Sequence, residues 1–251
     1  MSILDAFDSN PESILSPTHI ANPVENCPET FVVTFKENVI DLIRQNYGAE
    51  EISFMGAGGI RVPVYRFRYA GKWLGCYHTL LGGPASVGLL EEMLVKGAKK
   101  ILMFGSCGTL DESLSAGHLI LPSEAYRDEG TSYHYMPPSD YVEIATAPRL
   151  KAILDGLGIP CVMGRVWTTD AFYRETADHC RKRREEGCIA VEMECASMAA
   201  CSRFRGAEFY QFLYAADCVA ETAWEARLLG KMPASGWEKY LRIALEAAIR
   251  L

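Results

Sequence analysis

The sequence predicts an α/β fold: a single domain with a central mixed β-sheet flanked by helices on both faces. Three observations lead there. Short apolar runs such as Phe31-Val32-Val33-Thr34-Phe35, Ile101-Leu102-Met103-Phe104 and Phe212-Leu213-Tyr214-Ala215-Ala216 read as buried strands. They alternate with stretches of helical periodicity, the pattern of a sheet covered on both sides. The 251 residues suit one large domain, and no repeat, low-complexity tract or linker divides them.

Residues 1–30 are rich in Pro, Asn, Ser and Asp and lack periodicity, so an extended N-terminal arm is expected ahead of a folded unit over 31–251. A helix should follow the first strand and run to about Tyr47. Strands are expected at 51–55, 60–69 and 72–79, close enough together for partly antiparallel pairing. Pro84, after Gly82-Gly83, suits a helix start, where its missing N–H costs nothing, and Gly97 suits the end of the same helix. The strand at 101–104 should feed a tight Gly105-Ser106-Cys107-Gly108 turn. Later strands are expected near 117–126, 159–168 and 208–216. Helices are expected near 146–156, 173–186, 194–206 and 233–250.

Composition narrows the function. With 49% apolar and 23% charged residues the chain is an ordinary globular one, and a net charge of −7 argues against a nucleic-acid partner. No run approaches the ~20 apolar residues that span a bilayer, and the N-terminus carries no basic-then-apolar signal, so no membrane partner and cytoplasmic residence are expected. The nine cysteines are scattered and never form C-x-x-C, so they read as reduced, mostly buried thiols. The five histidines make no metal pattern, and no metal is expected. Gly56-Ala57-Gly58-Gly59 has Arg61 where a dinucleotide fingerprint needs glycine and reads as a glycine-rich turn. There is neither a P-loop nor a G-x-S-x-G elbow.

The most informative stretch is Val191-Glu192-Met193-Glu194-Cys195. It puts two carboxylates where a buried segment becomes a small-residue helix. Glu194 then falls in the first helical turn, where the helix N-terminus favours negative charge, and could accept hydrogen bonds from two neighbouring hydroxyls, as on a sugar. After their apolar strands, Ser106 and the adjacent backbone N–H groups can converge on an anion or sugar, while Asp217, partly buried at a strand end, suits a proton donor because burial raises a carboxyl pKa.

The V-E-M-E stretch resembles the signature of the nucleoside phosphorylase superfamily, which includes purine and uridine phosphorylases and related nucleosidases. Four further stretches follow the family's order: Phe104-Gly105-Ser106-Cys107-Gly108-Thr109-Leu110, Arg127-Asp128-Glu129-Gly130-Thr131-Ser132-Tyr133-His134-Tyr135, Thr169-Asp170-Ala171-Phe172-Tyr173 and, more loosely, Tyr214-Ala215-Ala216-Asp217. The resemblance implies a catalytic domain over 31–251. It implies that Glu194, with Glu192, holds the ribose hydroxyls and that Met193 packs under the sugar. Cys107 and Gly108 would line the pocket, Phe172 would stack on the base, and Asp217 would protonate or bind N7 of the leaving base. Ser106 would contact phosphate, helped by Arg61 across a subunit interface, and His19 would reach a neighbouring site to touch the 5′-hydroxyl. No organic cofactor is implied: nucleoside and inorganic phosphate are the partners, in a homo-oligomer built from dimers.

Two departures shape the functional expectation. Thr176 and Asp178 fall where uridine phosphorylases carry their uracil-reading Gln–Arg pair, which tilts the substrate towards purines, although Arg127 to Tyr135 looks more like the uridine branch. Thr34-Phe35-Lys36-Glu37-Asn38 replaces the phosphate-binding G-D-P-x-R, and Met103 replaces a second arginine. The expected activity is phosphorolysis of a purine ribonucleoside to free base and ribose 1-phosphate. The alternatives are a nucleosidase in which Glu37 activates water, a uridine phosphorylase, and a nucleoside-binding sensor, against which the intact Asp217 argues.

Overall fold

In the computed structural model, which describes residues 2–57, 59–219 and 223–251, ten strands form one mixed sheet. The strands are β1 (Thr30–Thr34), β2 (Glu50–Ala57), β3 (Ile60–Tyr69), β4 (Lys72–His78), β5 (Lys100–Thr109), β6 (Leu119–Asp128), β7 (Tyr141–Glu143), β8 (Cys161–Thr169), β9 (Cys188–Glu192) and β10 (Glu208–Cys218). The helices are α1 (Glu37–Tyr47), α2 (Gly83–Lys96), α3 (Ala147–Gly156), α4 (Ala177–Glu185), α5 (Cys195–Arg205) and α6 (Ala234–Ala248). The α/β architecture with a mixed sheet is as expected, but the sheet also closes on itself. The path β10-β6-β8-β9-β5 returns through a β5–β10 pairing, making a five-stranded ring, while β1, β4, β3 and β2 extend from β5 as an open wing. Ring closure depends on pairings far apart in sequence, so strand periodicity does not reveal it.

Alternation along β5 shows why helices lie on both faces. Ile101 and Met103 point into one core with residues of α2 and α5, whereas Leu102 and Phe104 join a second core with α1, α3 and α6. Helix α1 turns Val39, Ile40 and Ile43 inward, and α5 is buried along nearly its whole length, which its small residues permit. Gly82, at φ +90°, makes the backbone turn into α2 that an L side chain resists.

Several expectations change in detail. Gly105-Ser106-Cys107-Gly108 is not a turn: β5 continues through it to Thr109, because parallel pairing with β10 runs on from Leu213 to Cys218. Asp217 likewise lies inside β10 rather than after it. Strands β7 and β9 were not anticipated, being only three and five residues long. The helix expected at 173–186 is instead a short 3-10 turn, Phe172–Arg174, followed by α4, which Thr176 caps by accepting from the His179 N–H. Glu194 is the residue before α5, not within its first turn. Gly56 to Gly59 lie at the β2–β3 hairpin, with Gly58 outside the described residues. In the arm, short 3-10 turns at Ile3–Asp5 and Pro17–His19 interrupt otherwise irregular, mostly exposed chain. All nine cysteines are free, seven of them buried. Among the described residues no helix is long and apolar enough to cross a membrane.

Candidate active site

At the carboxyl ends of β5, β9 and β10 lies a cavity of about 610 Å³. Ser106, Cys107, Gly108, Phe172, Glu192, Met193, Glu194 and Asp217 all line it, so residues more than a hundred positions apart in sequence meet in one place. His19 and Arg61 do not line the cavity within this chain. His19 is exposed and its Nδ1 accepts from the Ser16 N–H at 3.2 Å. Arg61, on β3, pairs with Glu51 and stacks on Phe54 at 4.7 Å.

The two glutamates do different work. One oxygen of Glu192 accepts from the N–H groups of Glu194 and Cys195, at 2.8 and 2.7 Å, and the other binds the Thr168 hydroxyl. Its carboxylate is thus occupied in capping α5, whose free N–H groups it satisfies. Thr168 also accepts from the Ala196 N–H at 3.0 Å. Glu194, 4% exposed, takes the Gly82 N–H at 2.6 Å on Oε1, and the Met193 N–H also bonds its carboxylate. Burial, and then the neighbouring Glu192 charge, push the Glu194 carboxyl above the ordinary range. Burial also raises Glu192, against the bonds from Thr168 and the helix N–H groups.

Asp217 owes its direction to an irregularity. Ala215 pairs with Cys107 and Asp217 with Gly108, so β10 advances two residues while β5 advances one. The Asp217 Oδ2 accepts from the Trp224 indole N–H at 2.8 Å. Burial raises the carboxyl, opposed by the Trp224 bond and the Arg227 charge. Gly108 is required by space: a Cβ there would lie 2.9 Å from Val219 Cγ2 and 3.1 Å from Val191 Cγ1. The Cys107 thiol is raised by burial and by Asp217 and Glu192, which keeps it protonated and unsuited to attack. Phe172 remains 44% exposed, leaving ring surface for a ligand, with Tyr173 4.2 Å away between ring centroids.

Of the lining residues that escaped the sequence reading, Glu175 and Trp224 bear on the chemistry. Burial, and then the Asp217 charge, push Glu175 up to about 7. Trp224 lies in the loop after β10. Neither belongs to a motif; the only available signals were their closeness in sequence to Phe172 and Asp217.

Charge is distributed unevenly. Among the described residues the lining holds four carboxylates and no Lys, Arg or His. Met103 is fully buried in the core, and the Phe35 ring packs against Gly105, 2.8 Å from where a Cβ would stand. Lys36 lies over Trp237, 5.8 Å from its centroid, and Ser106 is hydrogen-bonded to the Tyr214 side chain. Glu37, at the start of α1, is exposed and does not line the cavity.

Known proteins show the family of this chain. The chain is 26% identical over 190 residues to a DeoD-type purine nucleoside phosphorylase of Exiguobacterium sp., covering 73% of this chain and 78% of the relative. It is 28% identical over 189 residues to the DeoD-type enzyme of Bacillus cytotoxicus, covering 72% and 78%. Its fold matches the crystal structure of uridine phosphorylase from Vibrio fischeri with a TM-score of 0.75 at 20% identity, covering 96% of this chain and all of the other. It also matches the purine nucleoside phosphorylase of Toxoplasma gondii in complex with immucillin-H, with a TM-score of 0.76 at 17% identity over 90% and 92% of the two chains. A family model described as the phosphorylase superfamily matches residues 33–232, and the chain belongs to that superfamily.

Proposed function

We propose that this chain is a purine-leaning nucleoside phosphorylase, in which inorganic phosphate attacks C1′ of a ribonucleoside and releases free base and ribose 1-phosphate. The observation that carries the reading is that Glu194, held by backbone N–H groups, and Asp217, with a raised carboxyl, line a single cavity beside the exposed ring of Phe172. Glu194 holds the 2′- and 3′-hydroxyls, Met193 packs under the sugar and Phe172 stacks on the base. Glu192 acts through α5, fixing the backbone that presents Glu194. Asp217 protonates N7 as the glycosidic bond breaks, help worth roughly 10²–10⁴-fold in rate. An acid-rich cavity favours the positive charge that develops on the ribosyl group. Phosphate is held by Ser106 and by Arg61 from a neighbouring subunit, in a homo-oligomer with shared sites and cytoplasmic residence.

A second reading, hydrolysis, is favoured by the absence of a basic residue among the described lining residues, since carboxylates repel a phosphate dianion. Incubation of purified, phosphate-free protein with inosine, with and without phosphate, decides between them. Phosphorolysis predicts phosphate-dependent ribose 1-phosphate and slower cleavage of uridine. Free ribose released at an unchanged rate without phosphate overturns the phosphorylase reading in favour of hydrolysis, and a preference for uridine overturns the purine assignment.

A further inference from the structure

We propose that Trp224 is a positioning residue for the leaving-base acid, holding one oxygen of Asp217 so that the acid's proton is carried on the other. The proposal rests on the reading of Asp217 as that acid. Indole N–H can donate a hydrogen bond but never accept one. While Nε1 sits 2.8 Å from Oδ2, that oxygen acts as acceptor, and because the carbonyl oxygen of a protonated carboxyl accepts more strongly than its hydroxyl oxygen, the hydrogen of a protonated Asp217 is favoured on Oδ1.

Packing does not account for the contact, because Trp224 is 59% exposed. The backbone accounts for it. Cys218 and Glu225 exchange both of their N–H···O bonds at 3.0 Å, forming a bridge immediately beside Asp217 on one side and Trp224 on the other. Beyond the bridge, the N–H groups of Leu228 and Leu229 both bond the Ala216 carbonyl, at 2.7 and 3.0 Å. Arg227 reaches the Leu114 carbonyl at 2.7 Å. Residues 225–229 are therefore tied back along β10, and the neighbouring exposed tryptophan is held with its single polar side-chain atom turned towards the cavity.

The chemistry follows from that hold. As C1′–N9 breaks, its electron pair passes to the base, the Oδ1 proton moves to N7, and a phosphate oxygen forms the new bond to C1′. Asp217 is left as a carboxylate, and the Trp224 N–H already faces the new charge. Arg227 from the same loop also favours the carboxylate, whereas Glu175 before α4 faces it with like charge and Cys107 of β5 lies against it as a neutral thiol.

Indole N–H resonances test the contact without turnover. The Trp224 signal, identified by its loss in Trp224→Phe, should titrate with pH in the wild-type protein and stay flat in Asp217→Asn. The Trp167 signal, whose indole donates to Asp128 at 3.0 Å, should behave the same in both proteins. In kinetics on a purine nucleoside, Trp224→Phe should lower kcat roughly tenfold, a part of what acid help contributes, with KM nearly unchanged. The alkaline limb of kcat should move to higher pH, because the lost bond favoured the carboxylate. A Trp224 signal that ignores Asp217, or a kcat loss with the limb unmoved, overturns the proposal. If the wild-type protein cleaves no nucleoside, the functional reading fails, and the titration alone still decides whether Trp224 holds Asp217.

Discussion

Replacing Glu194 with glutamine should separate what this side chain does for the substrate from what it costs the fold. Its carboxylate already takes the N–H groups of Gly82 and Met193, so only the remaining lone pairs are left for a vicinal diol. The amide keeps an acceptor for Gly82 but presents a donor where the second oxygen stood. At pH ~9, above the value of about 8 to which burial raises Glu194, losing one charge-assisted bond at about 1.5–3 kcal/mol should reduce kcat/KM for a ribonucleoside by about one to two powers of ten. A 2′,3′-dideoxynucleoside lacks both hydroxyls, so its cleavage should be almost unaffected. Stability should move the opposite way. Burial holds the folded Glu194 carboxyl above the ordinary value, so above pH ~4.5 the folded chain keeps a proton that the unfolded chain releases. Stability therefore falls as pH rises through that window, and Glu194→Gln should melt higher than wild type at pH 8, with a smaller gain at pH 5. Steady-state kinetics on the two substrates and melting at the two pH values make the test. Equal losses on both substrates, or a variant less stable at pH 8, would refute the reasoning.

Two further perturbations probe the same cavity. Gly108→Ala would place a methyl group 2.9 Å from Val219 and 3.5 Å from Asp217 Oδ2. Overpacking should cost about 1–3 kcal/mol, lowering the melting temperature by about 2–4 °C per kcal/mol and depressing activity, and an unchanged melting curve would show that β5 yields easily. For Glu175, held up at about 7 against 4.5 when unperturbed, the folded chain is the better proton binder between those values, so stability should decline as pH rises across them. Glu175→Gln should remove that part of the decline, and melting measured from pH 4 to 8 would contradict this if wild type and variant fell in parallel.

How much of this was legible in the sequence depended on whether the cause was local. Gly82, Pro84 and Gly97 mark the ends of α2 by backbone conformation, which the residues themselves determine. The 191–195 stretch announced its carboxylates, but not that Glu192 would turn back to cap α5 while Glu194 met Gly82, because Gly82 is more than a hundred residues away. The expected Gly105–Gly108 turn failed for a related reason. Glycines favour turns when nothing else holds them, and here pairing with β10 keeps the chain extended. Glu175 and Trp224 are polar or aromatic residues in irregular chain, and only the folded loop brings them to Asp217.

The extra residue in β10 has a consequence for how this site can change. Along a strand, side-chain direction depends on parity, so one residue more or fewer transfers everything downstream to the opposite face. Ala216 is the unmatched residue between the two paired positions, and so it sets which way Asp217 points. Substituting Ala216 alters volume only; were Ala216 instead paired regularly opposite Gly108, Asp217 would fall opposite Thr109 and turn to the other face, away from the cavity. A change of side chain and a change of register are therefore unequal here. The strand can exchange side chains one at a time, but its chemistry is tied to its pairing.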